Sequence, residues 1–345
     1  MFPAWSLLFG VAFGAVVGSF LNMLIYRLPR RLSILFPPSH CPACQHRLGA
    51  RDLIPLLSYL WQRGRCRYCR APIPLRYFLV ELWSASVWGW LWWQHLVIGE
   101  LPLRFLFYAL ACSILIAIFF IDLEHTLIPD ELNLALLGVG LLHAWLVYQP
   151  TEWSWAYPGE VSLKNAFWGA EIGAGILCAI AVLGRLVFRR DAMGHGDIKL
   201  VRAMGALLLL PALLTAFVLA VASGAIIGSV WLLSQSRQRR ASSEPQGASS
   251  DQESEPPPPE PVGSLLLMCL IYLLWLDVLI SLLPLRWQER FYARLGQPVS
   301  EEEEYVELPG MLPFGPFLAV GTQLTLLFGA TLAAPVRAYL EWAGF

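Results

Sequence analysis

Two aspartates stand where apolar stretches end, and their positions indicate shared acid–base chemistry. Asp122 directly follows the run Ile116–Ile121, and Asp197 closes a Gly-x-Gly-Asp sequence that begins at Gly194. A carboxylate at the rim of a bilayer is costly and is usually kept for a function. Two carboxyl groups about 3 Å apart share one proton, so the ionised member can activate water while the protonated member polarises a peptide carbonyl.

The composition predicts that both aspartates belong to an all-α polytopic membrane protein. Hydrophobic residues make up 57% of the 345 residues and charged residues 14%, so the chain is far more apolar than an ordinary soluble domain. Runs long enough to cross a bilayer as helices lie near 4–26, 78–98, 104–121, 131–149, 166–188, 212–234 and 314–334. With further apolar runs at 200–210 and 264–284, we expect about eight transmembrane helices.

The distribution of arginine predicts the orientation. Ten arginines and the single acid Asp52 lie between the first and second spans, and such a density of positive charge marks the cytoplasmic side. The amino terminus then faces outward, and alternating spans bring Asp122 and Asp197 to the cytoplasmic face. The first run is followed by Tyr26 and Arg27 rather than a small-residue cleavage site, which predicts a retained signal anchor.

The loop after the first span carries a metal-binding pattern. Two Cys-x-x-Cys pairs separated by 21 residues supply four thiolates, enough to close a tetrahedral zinc shell: Cys41, Cys44, Cys66 and Cys69. Four cysteines leave no open position for catalysis, and a reducing cytoplasm disfavours two disulfides, so we predict a structural, zinc-ribbon-like site. The remaining cysteines fall within apolar runs and are predicted to be packing residues: Cys112, Cys178 and Cys269.

Four titratable residues lie near the aspartates. Each fits an ordinary loop or helix-end role, and for the last of them, His195, an alternative stays open. Glu124 and His125 fit solvated loop residues, and Asp130 fits an acid favoured by the dipole of the following helix. His195, inside the Gly-x-Gly-Asp sequence, fits a solvated loop residue. The alternative is that its charge, which changes near about pH 6 to 7, tunes the two aspartates.

Several segments resemble the type IV prepilin peptidases, bacterial members of the GxGD membrane aspartyl proteases. The family's GSFLN and YRLP sequences match Gly18–Asn22 and Tyr26–Pro29, the double Cys-x-x-Cys follows in its place, and Pro313–Phe317 reads PFGPF. Asp122 and Asp197 match the family's two catalytic aspartates, while Pro129 and Asp130 match its proline–acid pair.

The resemblance implies an enzyme with two activities in the bacterial inner membrane. On the cytoplasmic side it would cleave the leader of type IV prepilins or type II secretion pseudopilins, with Asp122 and Asp197 as catalytic residues. It would then methylate the new amino terminus with S-adenosylmethionine. No Rossmann signature marks a site for that cofactor, so its binding residues stay unknown. Asn22 and Glu81 are polar residues at span edges, and for both of them helix-to-helix hydrogen bonding is favoured over lining that site. Membrane lipid is an expected partner, nucleic acid is not, and the oligomeric state stays open.

The resemblance and the apolar runs together divide the chain into five parts. These are an anchor (1–27), a tetracysteine loop (28–77), a peptidase core (78–235), an insertion (236–308) and a closing PFGPF segment (309–345). The insertion, which usual members lack, begins with a disordered linker from Arg237 to Pro261. We predict that its apolar run 264–284 is re-entrant or surface-lying and that Glu301–Glu304 return the chain to the cytoplasm, because a full crossing would turn PFGPF outward. Asp277 is left outside the active site.

Two other function classes stay open on sequence grounds. Intramembrane proteases of the presenilin or signal-peptide-peptidase type share GxGD, but they lack the tetracysteine loop and carry Tyr-Asp where this chain has Ile121 and Asp122. A non-enzymatic transporter or assembly scaffold could use the aspartates as a proton relay.

Overall fold

The computed structural model describes residues 2–99, 101–147, 161–189, 191, 193–241, 261–294 and 313–343. In these ranges the chain is helical and has no β-strand, only two isolated bridges within the tetracysteine loop. The α-helices are α1 Leu7–Arg27, α2 Leu57–Trp61, α3 Leu75–Trp92, α4 Pro102–His125, α5 Asp130–Leu146, α6 Leu163–Phe188, α7 His195–Ala241, α8 Val262–Leu273, α9 Leu276–Ser281, α10 Leu285–Arg294 and α11 Gly315–Ala343. The predicted all-α class is confirmed for this part of the chain.

Among the described residues, four helical stretches are long and apolar enough to cross a membrane, which indicates a multi-pass membrane protein: Ala4–Arg27, Pro102–His125, Leu163–Phe188 and Ala212–Ser234. Shorter apolar helices occur at Val262–Leu273 and Gly315–Gly329. The expected number of about eight spans therefore stays a prediction.

α7 is the central helix, and it breaks once. It packs against α5, α6 and α11. Leu209 leaves helical geometry at φ 62° and ψ 170°, two residues before Pro211 in the sequence, and a proline inside a helix removes a backbone hydrogen bond and breaks or kinks the helix. The helix continues to Ala241, so the first residues of the predicted disordered linker are helical. Residues 242–260 and Glu301–Glu304 lie outside the described residues.

Glycines let the neighbours of α7 approach its backbone closely. A methyl group added at Gly169 of α6 would overlap the Gly205 carbonyl of α7, and a methyl group added at Gly205 would overlap the Gly169 carbonyl. Gly140 of α5 and Gly321 of α11 lie equally close to the α7 backbone. Small residues at helix interfaces allow such tight packing in membranes. Three helices are thereby held at fixed distances from the helix that carries Asp197.

The apolar run predicted at 264–284 forms two short helices rather than one. α8 ends at Leu273, and α9 begins at Leu276 after Trp275, which has a left-handed φ of 58°. Neither helix, with 12 and 6 residues, is long enough to cross a bilayer. This agrees with a segment that does not cross, which stays a prediction.

Candidate active site

Asp122 lies in the last turns of α4 and is buried, with 4% of its surface exposed. Thr126, at φ 45°, ends the helix by donating its N–H to the Asp122 carbonyl over 2.8 Å. The carboxyl group accepts a hydrogen bond from the backbone N–H of Gly315, the central residue of the PFGPF sequence. A methyl group on Gly315 would overlap Asp122 Oδ2. A side chain at position 315 would therefore displace this carboxyl.

Asp197 lies in the first turn of α7. The backbone N–H of Gly194 donates to its carboxyl group. A methyl group on Gly194 would lie 3.2 Å from Asp197 Oδ2, so this glycine keeps the loop backbone close to the acid. The free N–H groups of a helix start also favour an acid at this position.

The two aspartates converge around Ile128, in the short connection between α4 and α5. A methyl group added at Gly196 would lie 3.1 Å from Ile128 Cβ, and one added at Gly315 would lie 3.0 Å from Ile128 Cδ1. The same isoleucine thus contacts the neighbours of both acids. The charge of Asp197 acts on the Asp122 carboxyl, as expected for groups in one site. We call these two residues the aspartyl pair.

The surroundings of the aspartyl pair favour proton sharing. Residues that lie close to the two acids and to Gly315 along α4, α7 and α11 are buried in one apolar core: Ile118, Ile121, Ile198, Leu200 and Leu318. Two carboxyl groups in such an environment do not both ionise readily, and they titrate as a unit. The arrangement can therefore supply one general base and one general acid.

The four cysteines of the predicted metal site also come together. Their sulfur atoms all lie within 4.8 Å of one another, and Cys41 Sγ and Cys69 Sγ are 3.9 Å apart. Zinc–sulfur bonds of about 2.3 Å in a tetrahedron place the sulfurs about 3.8 Å apart, so the spacing fits zinc. Backbone N–H groups of Cys69 and Tyr68 lower the pKa of the Cys66 thiol to about 7, which favours the thiolate that a metal needs.

Both metal-site turns have the same local geometry. Gln45 N–H donates to the Cys41 carbonyl over 2.8 Å, and Arg70 N–H donates to the Cys66 carbonyl over 2.9 Å. Gln45 and Arg70 each have a left-handed φ, of 58° and 64°. The repeated turn directs each Cys-x-x-Cys pair toward one point.

Comparison with known proteins assigns the chain to a family. The family "Bacterial Peptidase A24 N-terminal domain" matches residues 12–95, and "Type IV leader peptidase family" matches residues 109–229. A prepilin leader peptidase/N-methyltransferase of Myxococcus xanthus is 33% identical over 331 residues, covering 93% of this chain and 89% of the relative. The chain belongs to the type IV leader peptidase family.

Two further relatives of this leader peptidase carry the same name. That of Pectobacterium carotovorum is 35% identical over 258 residues, covering 67% of this chain and 85% of the relative. That of Aeromonas hydrophila is 36% identical over 249 residues, covering 63% and 78%. No solved structure matches the chain.

Three of the polar residues that sequence reasoning treated as loop or dipole residues have specific partners in the leader peptidase. Glu124 lies in the last turn of α4 rather than in a loop, and its side chain, which is exposed as expected, pairs with Arg76. Asp130 does begin α5, but both its carboxylate oxygens also accept from Lys199 Nζ over 2.7 Å. His195 begins α7 half-buried, with its ring 5.8 Å from the Tyr272 ring, so it is not a solvated loop residue.

His125 also belongs to α4 rather than to the loop predicted for it. The assignments of the buried amide, carboxyl and cysteine residues agree with the structure. Asn22 donates to the Tyr77 carbonyl over 2.9 Å, and Glu81 accepts from Leu56 N–H over 2.7 Å, so both form the structural hydrogen bonds that were favoured for them. The three cysteines predicted to be packing residues are buried: Cys112, Cys178 and Cys269.

Sequence reasoning missed residues whose type carries no chemical signal. Ile128 is an ordinary apolar residue in the sequence, and only its contacts show that it joins the two halves of the site. Gly315 was noted only as part of PFGPF. Arg202, five residues after Asp197, carried no prediction, although it forms a buried ion pair with Asp277. A charged residue within an apolar run was the available signal for both members of this pair.

Proposed function

We propose that this leader peptidase cleaves the leader from type IV prepilins or type II secretion pseudopilins and then methylates the new amino terminus. The observation that carries the proposal is the convergence of Asp122 and Asp197 around Ile128. Relatives named prepilin leader peptidase/N-methyltransferase support the substrate class and the second activity. The protein would act in the bacterial inner membrane.

The aspartyl pair would act by acid–base chemistry. The ionised carboxyl takes a proton from water as the water oxygen attacks the scissile carbonyl carbon, while the protonated carboxyl donates its proton to the carbonyl oxygen. When the tetrahedral intermediate collapses, one of its two hydroxyl groups returns a proton to the pair as the carbonyl forms again, the C–N bond breaks, and the leaving amine takes the other proton from the pair. One shared proton is restored, so the pair is ready for the next substrate.

The depth of the pair suits a substrate with a basic leader and an apolar helix. Such a substrate would keep its leader in the cytoplasm and its helix in the bilayer, which places the junction between them at the membrane rim. Because the tetracysteine loop is rich in arginine, it supports a cytoplasmic location for the end of α4 and the start of α7.

Zinc would fold the tetracysteine loop. Between residues 28 and 77 the only residues that are buried as a whole are two of the cysteines, Cys41 and Cys66. A loop without an apolar core cannot offset the entropy of ordering its chain, so metal binding supplies the missing free energy. The closed set of four thiolates supports a structural rather than a catalytic metal.

A basic cavity in the same loop offers groups that suit the methyl donor. It has a volume of about 460 Å³ and is lined by Arg51, Asp52, Ile54, Ser58, Trp61, Gln62, Arg65, Arg67 and Arg70. The arginines would pair with the carboxylate of S-adenosylmethionine, and Trp61 would stack on its adenine. The bound cofactor supplies an electrophilic methyl group to the new amino terminus.

The experiment that tests the proposal uses the purified protein and a full-length prepilin. We expect cleavage by the wild type and by Glu131→Gln, an exposed acid on α5, and loss of about a thousandfold or more in Asp122→Asn and Asp197→Asn. Mass spectrometry of the trimmed product should show one added methyl group only when S-adenosylmethionine is present. Equal cleavage by wild type and both asparagine variants would overturn the assignment of the aspartyl pair.

A further inference from the structure

The α8–α10 segment lies beyond residue 229, where the family match ends, yet it packs beside the aspartyl pair. α8 lies along α6, and its buried side chains join the same apolar core as the first turns of α7: Leu265, Met268, Cys269, Ile271 and Tyr272. The Tyr272 ring contacts His195, two residues before Asp197. The segment is therefore part of the wall around the site.

Arg202 and Asp277 join α7 to this segment through two parallel hydrogen bonds. Arg202 Nη1 and Nη2 donate to the two carboxylate oxygens of Asp277 over 2.7 and 2.6 Å. Nη1 also donates to the Tyr272 carbonyl over 3.0 Å, and the Trp275 ring centroid lies 5.4 Å from the guanidinium carbon. A planar guanidinium bonded in this way fixes orientation as well as distance.

The break between α8 and α9 brings Asp277 to Arg202. Trp275 holds a left-handed φ of 58°, which is unusual for a bulky residue, and Asp277 follows in the first turn of α9. The Trp275 indole donates to Glu171 of α6 and stacks on Phe167, with ring centroids 5.4 Å apart. These contacts hold the break in place, so Asp277 is presented from a fixed position.

The ion pair is almost fully enclosed. The side chains of Arg202 and Asp277 are 5% and 3% exposed. Removing two charges from water is expensive, and replacing a buried pair with apolar residues of similar volume is often neutral or stabilising. Stability alone therefore explains this pair poorly, and an ionisable residue at membrane depth is by default a candidate for function.

The first turns of α7 are held by two ion pairs. Lys199 ties the helix to Asp130 of α5, and Arg202 ties it to Asp277 of α9. In a helix of 3.6 residues per turn, residues 199 and 202 are three positions apart and share one face, which lies roughly opposite residue 197. Neither ion pair therefore occupies the face from which Asp197 meets Asp122. A rotation of α7 about its axis would separate the two carboxyls and would break both ion pairs.

We propose that Arg202 and Asp277 are positioning residues that set the rotation of α7 and thereby the spacing of the aspartyl pair. The α8–α10 segment then belongs to the machinery of the reaction, although the family match does not include it. The inference rests on the proposed function for its kinetic readout, and it has a separate geometric readout that does not.

The kinetic test uses the full-length protein in detergent with prepilin as substrate. In Arg202→Lys the charge stays but the two parallel bonds are lost, and we expect kcat to fall about tenfold with KM changed less than about twofold. Asp277→Asn should lower kcat at least as much. Asp191→Asn, which removes an exposed partner 3.8 Å from Arg185, is the matched control and should retain the wild-type kcat.

A second variant separates positioning from stability. The double substitution Arg202→Met with Asp277→Leu removes both charges and keeps an apolar contact, so the thermal midpoint should lie within about 3 °C of the wild type. The oriented bonds are absent, so kcat should stay about fivefold or more below the wild type. Full recovery of kcat together with the thermal midpoint would overturn the inference.

The geometric test needs no substrate. Asp122→Cys and Asp197→Cys are combined in a background where Cys112, Cys178 and Cys269 are alanine, and disulfide formation is followed with and without Asp277→Asn. We expect the substitution at Asp277 to lower the cross-linked fraction about threefold or more, because the two positions no longer face each other. An unchanged fraction, or no cross-link in either protein, would overturn the inference. A cross-link that depends on Asp277, together with a wild-type protein that cleaves no prepilin, would overturn the proposed function and leave the positioning role standing.

Discussion

The tetracysteine loop and the aspartyl pair each bring reactive side chains together, but by different means. In the loop, one short stretch supplies all four cysteines, and the same turn is used twice to direct them. In the membrane part, the two acids come from α4 and α7, while Gly315 of α11 and Ile128 complete their surroundings. The loop depends on a metal for its order, whereas the aspartyl pair depends on close packing between helices. Damage to either should therefore leave the other largely intact.

The largest effect should follow from filling the space beside Asp122. Gly315→Val places a branched side chain where even one methyl group would overlap Asp122 Oδ2. We expect leader cleavage to fall about a hundredfold or more, while zinc content is unchanged. Cleavage rate and metal content measured on the same preparation check this.

Gly175→Ala is the matched control, because a methyl group there meets no atom within 4 Å. A helix favours alanine over glycine by about 1 kcal/mol, so this variant should be at least as stable as the wild type and equally active. A Gly315→Val protein that cleaves at the wild-type rate would show that the carboxyl does not need this glycine.

Loss of one thiolate should disorder the loop and spare the helices. Cys66→Ser removes a ligand whose pKa of about 7 favours metal binding. We expect bound zinc to fall from about one per chain to near zero and limited proteolysis to cut the tetracysteine loop. The helical circular dichroism should stay the same.

Cys112→Ala is the control for this experiment, since Cys112 is buried in α4 away from the cluster. It should retain zinc. If Cys66→Ser kept a full complement of metal, the four-cysteine site would be wrong.

A smaller and more selective effect is expected in the basic cavity. Trp61→Ala removes the ring proposed to stack on the adenine, and we expect methylation to fall about tenfold with cleavage unchanged. The ratio of methylated to unmethylated product measures this directly. Arg47→Ala, an exposed residue of the same loop outside the cavity, should leave the ratio unchanged.

The smallest effect should come from the ion pair that links the two regions. Arg76 at the start of α3 pairs with Glu124 near the end of α4, and both side chains are partly exposed, at 15% and 34%. We expect Arg76→Ala to lower the free energy of unfolding by less than about 1 kcal/mol and to change the cleavage kcat less than about twofold. A large loss of cleavage would mean that the loop does set the geometry of the aspartyl pair.

The parts of the molecule that are encoded locally could be read from the sequence. Cys-x-x-Cys spacing alone predicts the convergence of the four sulfurs, since each pair needs only one turn. The helices and the two acids at their ends were also predictable, because apolar runs and isolated carboxylates are visible in any window. The break at Leu209 follows from Pro211. It agrees with the short apolar run predicted at 200–210 and the separate span predicted at 212–234.

Contacts between distant residues could not be read in the same way. Nothing near Ile128 indicates that it will touch both Gly196 and Gly315, because that contact depends on how three helices pack. Asp277 was left outside the active site for the same reason, since its partner Arg202 lies 75 residues earlier in the chain. The short helices α8 and α9 depend on a left-handed tryptophan, a conformation that the residue type does not favour.

The break in α7 at Leu209 affects how the helix can tilt in bilayers of different thickness. The half before the break carries Asp197 and is fixed to α5, α6 and α9, whereas Ala212–Ser234 forms a separate stretch of 23 residues. A helix without a break would transmit any change of tilt along its whole length. Because of the break, Ala212–Ser234 can adjust its tilt to thicker or thinner lipid, while the half of α7 before the break keeps its orientation.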